Sequence, residues 1–329
     1  MRRRDLIQSL AGAAIIWPAY VARAQQGSKL PKIGYLSDEG ATPHLFHSQN
    51  SILRGLRERG YEDGRNIVIE YRYTAGKAEQ LASLAAELVA LPVDVILAVG
   101  TPASRAALAA TKTIPIIFCR IGDPVGYGLV ASLARPGGDA TGVTVFTVAL
   151  AEKRVEVLKD AVPGLSRLAV LHDPNFPPGQ IELGQITTAA AALNVQTHAV
   201  GARSPAALEG ALPEITKESP EALFVGSAAW FEDNPRQIVD FAFKTRLPAL
   251  YIRREYVEIG GVMSYGVDFR EMYRNAAQYI VRVLKGEKPA DLPVIQPTKI
   301  ELVINLKSMK SLGLSTTPPL LARADEVIE

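Results

Sequence analysis

The chain has 329 residues, 48% of them hydrophobic, with 36 basic and 34 acidic side chains and one cysteine. At roughly 150 residues per domain the length suits two domains, and the even charge balance withholds the positive surface on which nucleic-acid or anionic-membrane binding rests. With Cys119 alone no intrachain disulfide forms, so stability must come from large apolar cores.

The first segment reads as a cleaved export signal. Arg2, Arg3 and Arg4 precede an apolar run over 10–20, which is shorter than the ~20 residues of a membrane span. Ala22-Arg23-Ala24 then gives a small-x-small cleavage pattern, so residues 1–24 are expected to be removed and the mature chain to begin near Gln25. Arg3-Arg4 with Leu6 and Ile7 fits a twin-arginine signal, while a general secretory signal requires no more than the basic start and apolar middle; both routes stay open. No Cys follows the cleavage box, so a lipoprotein anchor is not expected. Without 1–24 the balance is 32 basic against 33 acidic residues.

Beyond the signal, short β-branched runs alternate with helical stretches. Strands are expected at 33–36, 67–71, 93–99 and 114–118, with helices at 47–59, 78–90 and 102–110 between them. A Gly-rich passage over 122–142 interrupts the series. It resumes with strands at 168–171, 195–200, 222–225 and 249–252 and helices at 152–160, 181–193, 205–217 and 235–246. Near-continuous apolar strands with intervening helices imply parallel sheets covered on both faces, so the fold class is α/β with two Rossmann-like lobes. A segment at 261–266, an amphipathic helix at 269–284 and a strand at 299–304 remain after both series, as in a chain that crosses back between lobes. Cys119 ends an apolar strand and reads as a buried core thiol.

In open α/β sheets ligands bind beyond the carboxyl ends of the strands. In the first half those ends are Ser37-Asp38-Glu39-Gly40, Gly100-Thr101-Pro102-Ala103-Ser104 and Gly122-Asp123-Pro124-Val125-Gly126. Thr101 as an N-cap with Pro102 at the first helical position would leave free N–H groups for a carboxylate, or would simply make a well-capped helix. Asp123-Pro124 either holds a ligand ammonium or starts a turn. The second half offers His172-Asp173-Pro174-Asn175, Gly226-Ser227-Ala228 and Arg253-Arg254-Glu255-Tyr256, the last being either a site or a solvated rim. Tyr127, Trp230 and Tyr256 lie near strand ends and would either stack on a ligand ring or pack the lobes.

Catalytic signatures are thin. The histidines are His44, His47, His172 and His198, and the His44-x-x-His47 pair has no cysteine beside it, so no metal site is expected. A nucleophile elbow, a phosphate loop and a dinucleotide fingerprint are all lacking, which argues for ligand binding with no cofactor.

A set of phrases spans the chain: Gly55-Leu56-Arg57-Glu58-Arg59-Gly60-Tyr61, Gly64-Arg65-Asn66-Ile67, Gly100-Thr101-Pro102-Ala103, Gly122-Asp123-Pro124-Val125-Gly126 and Ala134-Arg135-Pro136-Gly137-Gly138. Gly260-Gly261-Val262-Met263-Ser264-Tyr265-Gly266, Gln296-Pro297-Thr298-Lys299 and Ala324-Asp325-Glu326-Val327-Ile328 complete it. In these phrases the chain resembles the ABC transporter substrate-binding proteins of the tryptophan/tyrosine-binding type. The resemblance implies a type I periplasmic binding fold, with parallel sheets in two lobes, three hinge crossovers near 141–146, 263–268 and 293–299, and a ligand enclosed by hinge closure. It implies an N-terminal lobe of 25–144 and 266–295 and a C-terminal lobe of 145–265 and 296–329. Carried over by position, the cleft residues of the first lobe are Ser37, Thr101, Ala103 and Asp123, and the choices for the second are Asp173, Asn175, Ser227 and Glu255. Where relatives commonly read Trp-Asn-Pro this chain has His172-Asp173-Pro174, a change of charge and hydrogen-bonding character at the cleft. The implied protein is a monomeric periplasmic receptor for an amino acid or related carboxylate that serves an inner-membrane ABC permease, without nucleic acid. An exported α/β enzyme using Asp123, Asp173 or Glu255 for proton transfer and a sensor for a membrane signalling receptor are the alternatives.

Overall fold

The computed structural model describes residues 30–38, 48–74, 77–145, 150–314 and 316–329; the signal segment, His44 and His47 lie outside them. The first half runs β1 (Lys32–Ser37), α1 (Ser48–Arg57), β2 (Val68–Tyr73), α2 (Leu81–Ala90), β3 (Val95–Val99), α3 (Thr101–Ala110), β4 (Ile116–Ile121) and β5 (Ala140–Thr144). Its five strands pair in parallel in the order β2-β1-β3-β4-β5. All five residues of β3 are buried because the sheet is covered on both sides. Val95, Leu97 and Val99 enter one core cluster and Ile96 and Ala98 the other, as the two-residue period of a strand requires. Cys119 sits in the first of these cores, wholly buried.

The second half adds α4 (Ala151–Ala161), β6 (Arg167–His172), α5 (Pro177–Ala192), β7 (Gln196–Gly201), α6 (Pro205–Ile215), β8 (Ala222–Val225), α7 (Pro235–Lys244), β9 (Ala249–Tyr251), α8 (Arg254–Glu258) and β10 (Met263–Val267). After α9 (Phe269–Leu284) come β11 (Ile300–Asn305), α10 (Leu306–Ser311), α11 (Pro318–Arg323) and β12 (Glu326–Ile328). The second sheet has seven strands in the order β12-β11-β10-β9-β8-β6-β7. It departs from the expected all-parallel pattern at one pair: β10 and β11 are antiparallel. β10 runs out toward the first lobe and β11 brings the chain back beside it, so the two must point in opposite directions.

α9 belongs to the first lobe although it follows a strand of the second. Asp268 caps it, accepting from the Glu271 N–H at 3.1 Å, and Phe269, Met272, Tyr273, Ala276, Ala277 and Ile280 form a buried face at helical spacing within the first core. α9 lies against α1 so closely that a Cβ on Gly55 would stand 2.8 Å from the Ala277 methyl. A glycine is needed at that crossing.

Three passages join the lobes: one between β5 and α4, one at Asp268 and one between Ile295 and β11. They are laced together. Thr144 N donates to the Ile295 carbonyl at 2.9 Å, Ile295 N to Gly142 at 2.9 Å, Asp268 N to Lys299 at 3.2 Å, and Lys299 Nζ reaches Asp268 Oδ2 at 2.8 Å. Such a strap allows the lobes to rotate about a fixed axis. Among the described residues no helix is long and apolar enough to cross a membrane, and no group of three His, Cys, Asp or Glu side chains is placed to hold a metal.

Candidate functional site between the lobes

The strand ends of the two lobes meet through charge. Arg120 interrupts the apolar run of β4, where the pairing with β5 shifts register between Cys119 and Ile121 and the arginine takes a left-handed backbone with φ of 61°. A bulge re-aims a side chain, and here it turns Arg120 out of the apolar stack into the cleft. Its Nη2 donates to Asp38 Oδ1 at 2.7 Å, at the end of β1 in the same lobe. Its Nη1 donates across the cleft to Glu232 Oε2 at 3.4 Å, on a short 3-10 turn that follows β8.

The same Glu232 oxygen accepts from Arg253 Nη1 at 2.7 Å. Arg253 in turn grips Glu255 through Nε at 3.2 Å and Nη2 at 3.1 Å, and its guanidinium lies 4.2 Å over the Phe269 ring of α9 in the first lobe. A chain of alternating charge, Asp38, Arg120, Glu232, Arg253 and Glu255, therefore spans the cleft, with three carboxylates against two guanidiniums. Burial opposes the charge on Arg253, but Glu232 and Glu255 outweigh it and raise its pKa above the ordinary arginine value. Burial likewise pushes Glu255 up, yet the Arg253 charge and hydrogen bonds leave its pKa lowered.

The sequence-derived candidates fall into several groups. Glu255 is buried and held by Arg253, so the Arg253-Arg254-Glu255 segment is no solvated rim; it opens α8. Asp173 is buried, accepting from Asn175 N at 2.8 Å through Oδ1 and from Trp230 Nε1 at 2.8 Å through Oδ2, while the Asn175 side chain is exposed. Trp230 thus fixes the Asp173 carboxylate. His172 beside it contacts Gln180 Nε2 through Nδ1 at 3.1 Å; burial lowers its pKa, against the pull of Asp173. Ser227 is 9% exposed with an unpartnered hydroxyl, and its N–H donates to Glu182 Oε2 at 2.7 Å.

In the first lobe Gly100, not Thr101, is the cap of α3, with Thr101 and Pro102 as its first two residues. The Asp38 carboxylate occupies the space over Gly100: a Cβ there would stand 3.0 Å from Asp38 Oδ2. The helix start where a ligand anion was expected therefore already faces an anion of the protein itself. Ala103 is wholly buried in the apolar core among Leu36, Leu81 and Ala107, which removes its side chain from any ligand. Ser37 is wholly buried as well. Asp123 is exposed and closes its own turn, accepting from Gly126 N at 2.8 Å. Of the aromatics, Tyr256 is buried and stacks on Tyr251 at 4.7 Å, Trp230 meets Phe231 edge-on at 4.4 Å, and Tyr127 is exposed.

Sequence reasoning missed the roles of Arg120, Glu232 and the pair Arg154 and Glu182. Arg154 of α4 is fully buried, donating through Nη1 to Glu182 Oε1 at 2.6 Å and through Nε to the Tyr265 carbonyl of β10 at 2.8 Å. The detectable signal was a lone charge inside an otherwise apolar run, which Arg120 displays in Ile117-Phe118-Cys119-Arg120-Ile121. Glu232 has no such mark.

Two α/β lobes strapped by three crossovers, with polar strand ends facing one another, define a type I periplasmic binding architecture. The family model for ABC transporter substrate binding proteins matches residues 41–328, and the chain belongs to that family. It is 25% identical over 272 residues to a tyrosine-binding protein of Clostridioides difficile (strain R20291), covering 83% of this chain and 78% of that one. The crystal structure of an ABC domain in complex with L-Trp from Streptococcus pneumonia superposes with a TM-score of 0.79 at 27% identity, over 91% of this chain and 100% of that one. A conserved domain protein from Vibrio cholerae gives a TM-score of 0.80 at 27% identity with the same coverage.

Proposed function

We propose that this protein is the exported receptor of an ABC importer, capturing an aromatic or other small amino acid between its lobes and delivering it unchanged to a membrane permease. The observation that carries this reading is the direct meeting of strand-end groups from both lobes, Arg120 on Glu232 and Arg253 on Phe269, above a strap that permits hinge rotation. The tyrosine and tryptophan named for its relatives supply the ligand class. Residues 1–24 act as the cleaved signal, and the lobes comprise 25–144 with 266–295 and 145–265 with 296–329. The chain acts as a monomer, with no cofactor.

Thr101, Asp123, Asn175 and Ser227 offer side-chain polar groups to the ligand, whereas Ser37 and Ala103 contribute through backbone at most. Asp173 and Glu255 act by shaping the cleft, because each carboxylate is already held by protein donors. The same pairing favours binding over proton transfer: Asp123, Asp173 and Glu255 all accept internal hydrogen bonds, which hold each carboxylate in place.

A thermal-shift screen of the chain from Gln25 onward, against amino acids, short peptides, organic acids and nucleobases, tests the reading. A ligand at 100 times its dissociation constant adds about 2.7 kcal/mol to folded-state stability, enough for a clear shift. A dose-dependent response to one or a few amino acids is expected. Stabilisation by other classes alone, or by nothing in the panel, would overturn the amino-acid assignment.

A further inference from the structure

We infer that Arg254 is the positioning residue of the cleft: by clasping three carboxylates it fixes the start of α8 against β11 and the edge strand β12, and through α8 it sets the place of Arg253 and Glu255 between the lobes. The inference rests on the receptor reading above and deepens it by naming what holds that site in register.

α8 has five residues, too few to persist on backbone hydrogen bonds alone. Its hold comes from side chains. At its start Arg254 donates through Nε to Glu258 Oε1 at 3.0 Å, through Nη1 to Glu301 Oε2 of β11 at 3.0 Å and through Nη2 to Glu326 Oε2 of β12 at 2.7 Å. At its end Asn305 Nδ2 donates to the Val257 carbonyl at 3.3 Å, Arg236 Nη1 to that of Ile259 at 3.0 Å and Ser308 Oγ to that of Gly260 at 2.8 Å. Burial opposes the charge on Arg254, yet its hydrogen bonds to Glu326 and Glu258 and the charge of Glu301 outweigh it and raise its pKa above the ordinary arginine value. Glu258 also accepts from Arg270 Nη2 of α9, so the clasp reaches into the first lobe just past the crossover at Asp268.

The path from this clasp to the cleft is short. Arg253 is the N-cap of α8; it grips Glu255 and donates to Glu232 at 2.7 Å. Glu232 shares the 3-10 turn Ala229–Asp233 with Trp230, whose Nε1 holds Asp173 at 2.8 Å. A displacement at the start of α8 is therefore carried along the cleft wall of the second lobe as far as Asp173.

The experiment separates positioning from stability. Trp17 and Trp230 are the two tryptophans, so a chain that begins at Gln25 carries Trp230 alone, and its fluorescence reports the cleft wall without any ligand. Arg254→Gln strands Glu301, which is 4% exposed, has no hydrogen-bond partner for Oε1 among the described residues and keeps only Lys299, at 3.9 Å, so a fall in the urea midpoint is expected on that ground alone. The double variant Arg254→Gln with Glu301→Gln removes the stranded charge and should recover much of the midpoint. Both variants are nevertheless expected to show shifted Trp230 emission with stronger acrylamide quenching in the absence of ligand, and a tyrosine affinity about tenfold weaker by calorimetry. Arg282→Gln, which breaks an exposed pair with Glu287 at the far end of α9, should leave emission and affinity at wild type. If either the emission or the affinity of the double variant equals wild type, Arg254 does no more than stabilise the fold and the inference is overturned. If wild type binds neither tyrosine nor any other amino acid, the amino-acid reading fails, and the Trp230 emission by itself decides whether Arg254 positions the cleft wall.

Discussion

Replacing Arg154 by methionine should cost far more than the loss of one side chain. Arg154 is fully buried, and its guanidinium holds Glu182 Oε1 at 2.6 Å and the Tyr265 carbonyl at 2.8 Å. Glu182 is buried as well, and its other oxygen accepts from Ser227 N at 2.7 Å. Methionine fills much of the volume but strands the Glu182 carboxylate without its cation. Breaking a buried pair from one side typically costs about 3–5 kcal/mol, because an uncompensated charge is left behind. Removing both charges together, as Arg154→Met with Glu182→Gln, keeps an acceptor for Ser227 N and leaves no stranded charge. The double variant should therefore be more stable than Arg154→Met alone, a departure from additivity that a double-mutant cycle reads directly. Urea unfolding of wild type, both single variants and the double variant supplies the numbers, compared through midpoints at constant slope. A loss below about 1 kcal/mol for Arg154→Met, or strictly additive losses, would refute the claim that this pair is a coupled buried unit.

Other consequences follow from named contacts. Gly55→Val should destabilise by about 1–3 kcal/mol through overpacking, since the first added carbon already meets Ala277 at 2.8 Å; unchanged urea stability would mean that α1 and α9 can part without loss. Cys119→Ala should leave ligand affinity unchanged, because the thiol lies in the core beneath the sheet; selective loss of binding in a folded variant would contradict this. Stability should fall on acidification. Glu255 and Asp268 have folded-state pKa values below the ordinary ones, burial being outweighed in each by its cationic partner and hydrogen bonds, Arg253 for the first and Lys299 for the second. Their stabilisation is fully present above the unfolded values of about 4.3 and 3.9 and is lost as pH falls through the folded ones. Glu301 works in the opposite direction, its pKa raised by burial, so the cost of its buried charge is relieved as it protonates. Urea midpoints between pH 7 and pH 3 should drop below about pH 4, less steeply in Glu255→Gln; an identical drop in that variant would remove Glu255 as a cause.

Much of the fold was readable because its signals are local. α9 was placed at its observed bounds from a 3.6-residue apolar period alone, and the structure adds the Asp268 cap. The buried strands β3, β4, β6 and β8 announce themselves as β-branched runs. β5 was hidden because Ala140-Thr141-Gly142-Val143-Thr144 continues a Gly-rich passage, and its pairing with β4 is a property of the sheet rather than of its own composition. β10 shows in the sequence only as the segment 261–266, without a strand assignment, and α8 escapes because five residues are too few for a helical period.

The site was less readable. Arg120 and Glu232 are 112 positions apart, and no spacing rule links a charge in one strand to a carboxylate in a turn of the other lobe. Ala103 entered the site by carry-over from the family resemblance, yet the third residue of α3 turns inward to the core. Helix geometry decided its direction.

The central claim is that the two lobes hold a small amino acid and release it unaltered. Titrating the chain from Gln25 onward with tyrosine and with tryptophan, then recovering the ligand and analysing it chemically, tests this most directly. The account predicts saturable binding of one ligand per chain with full recovery of the intact amino acid. Conversion of the amino acid into a product, or a folded protein that takes up neither these nor any other amino acid, would contradict it.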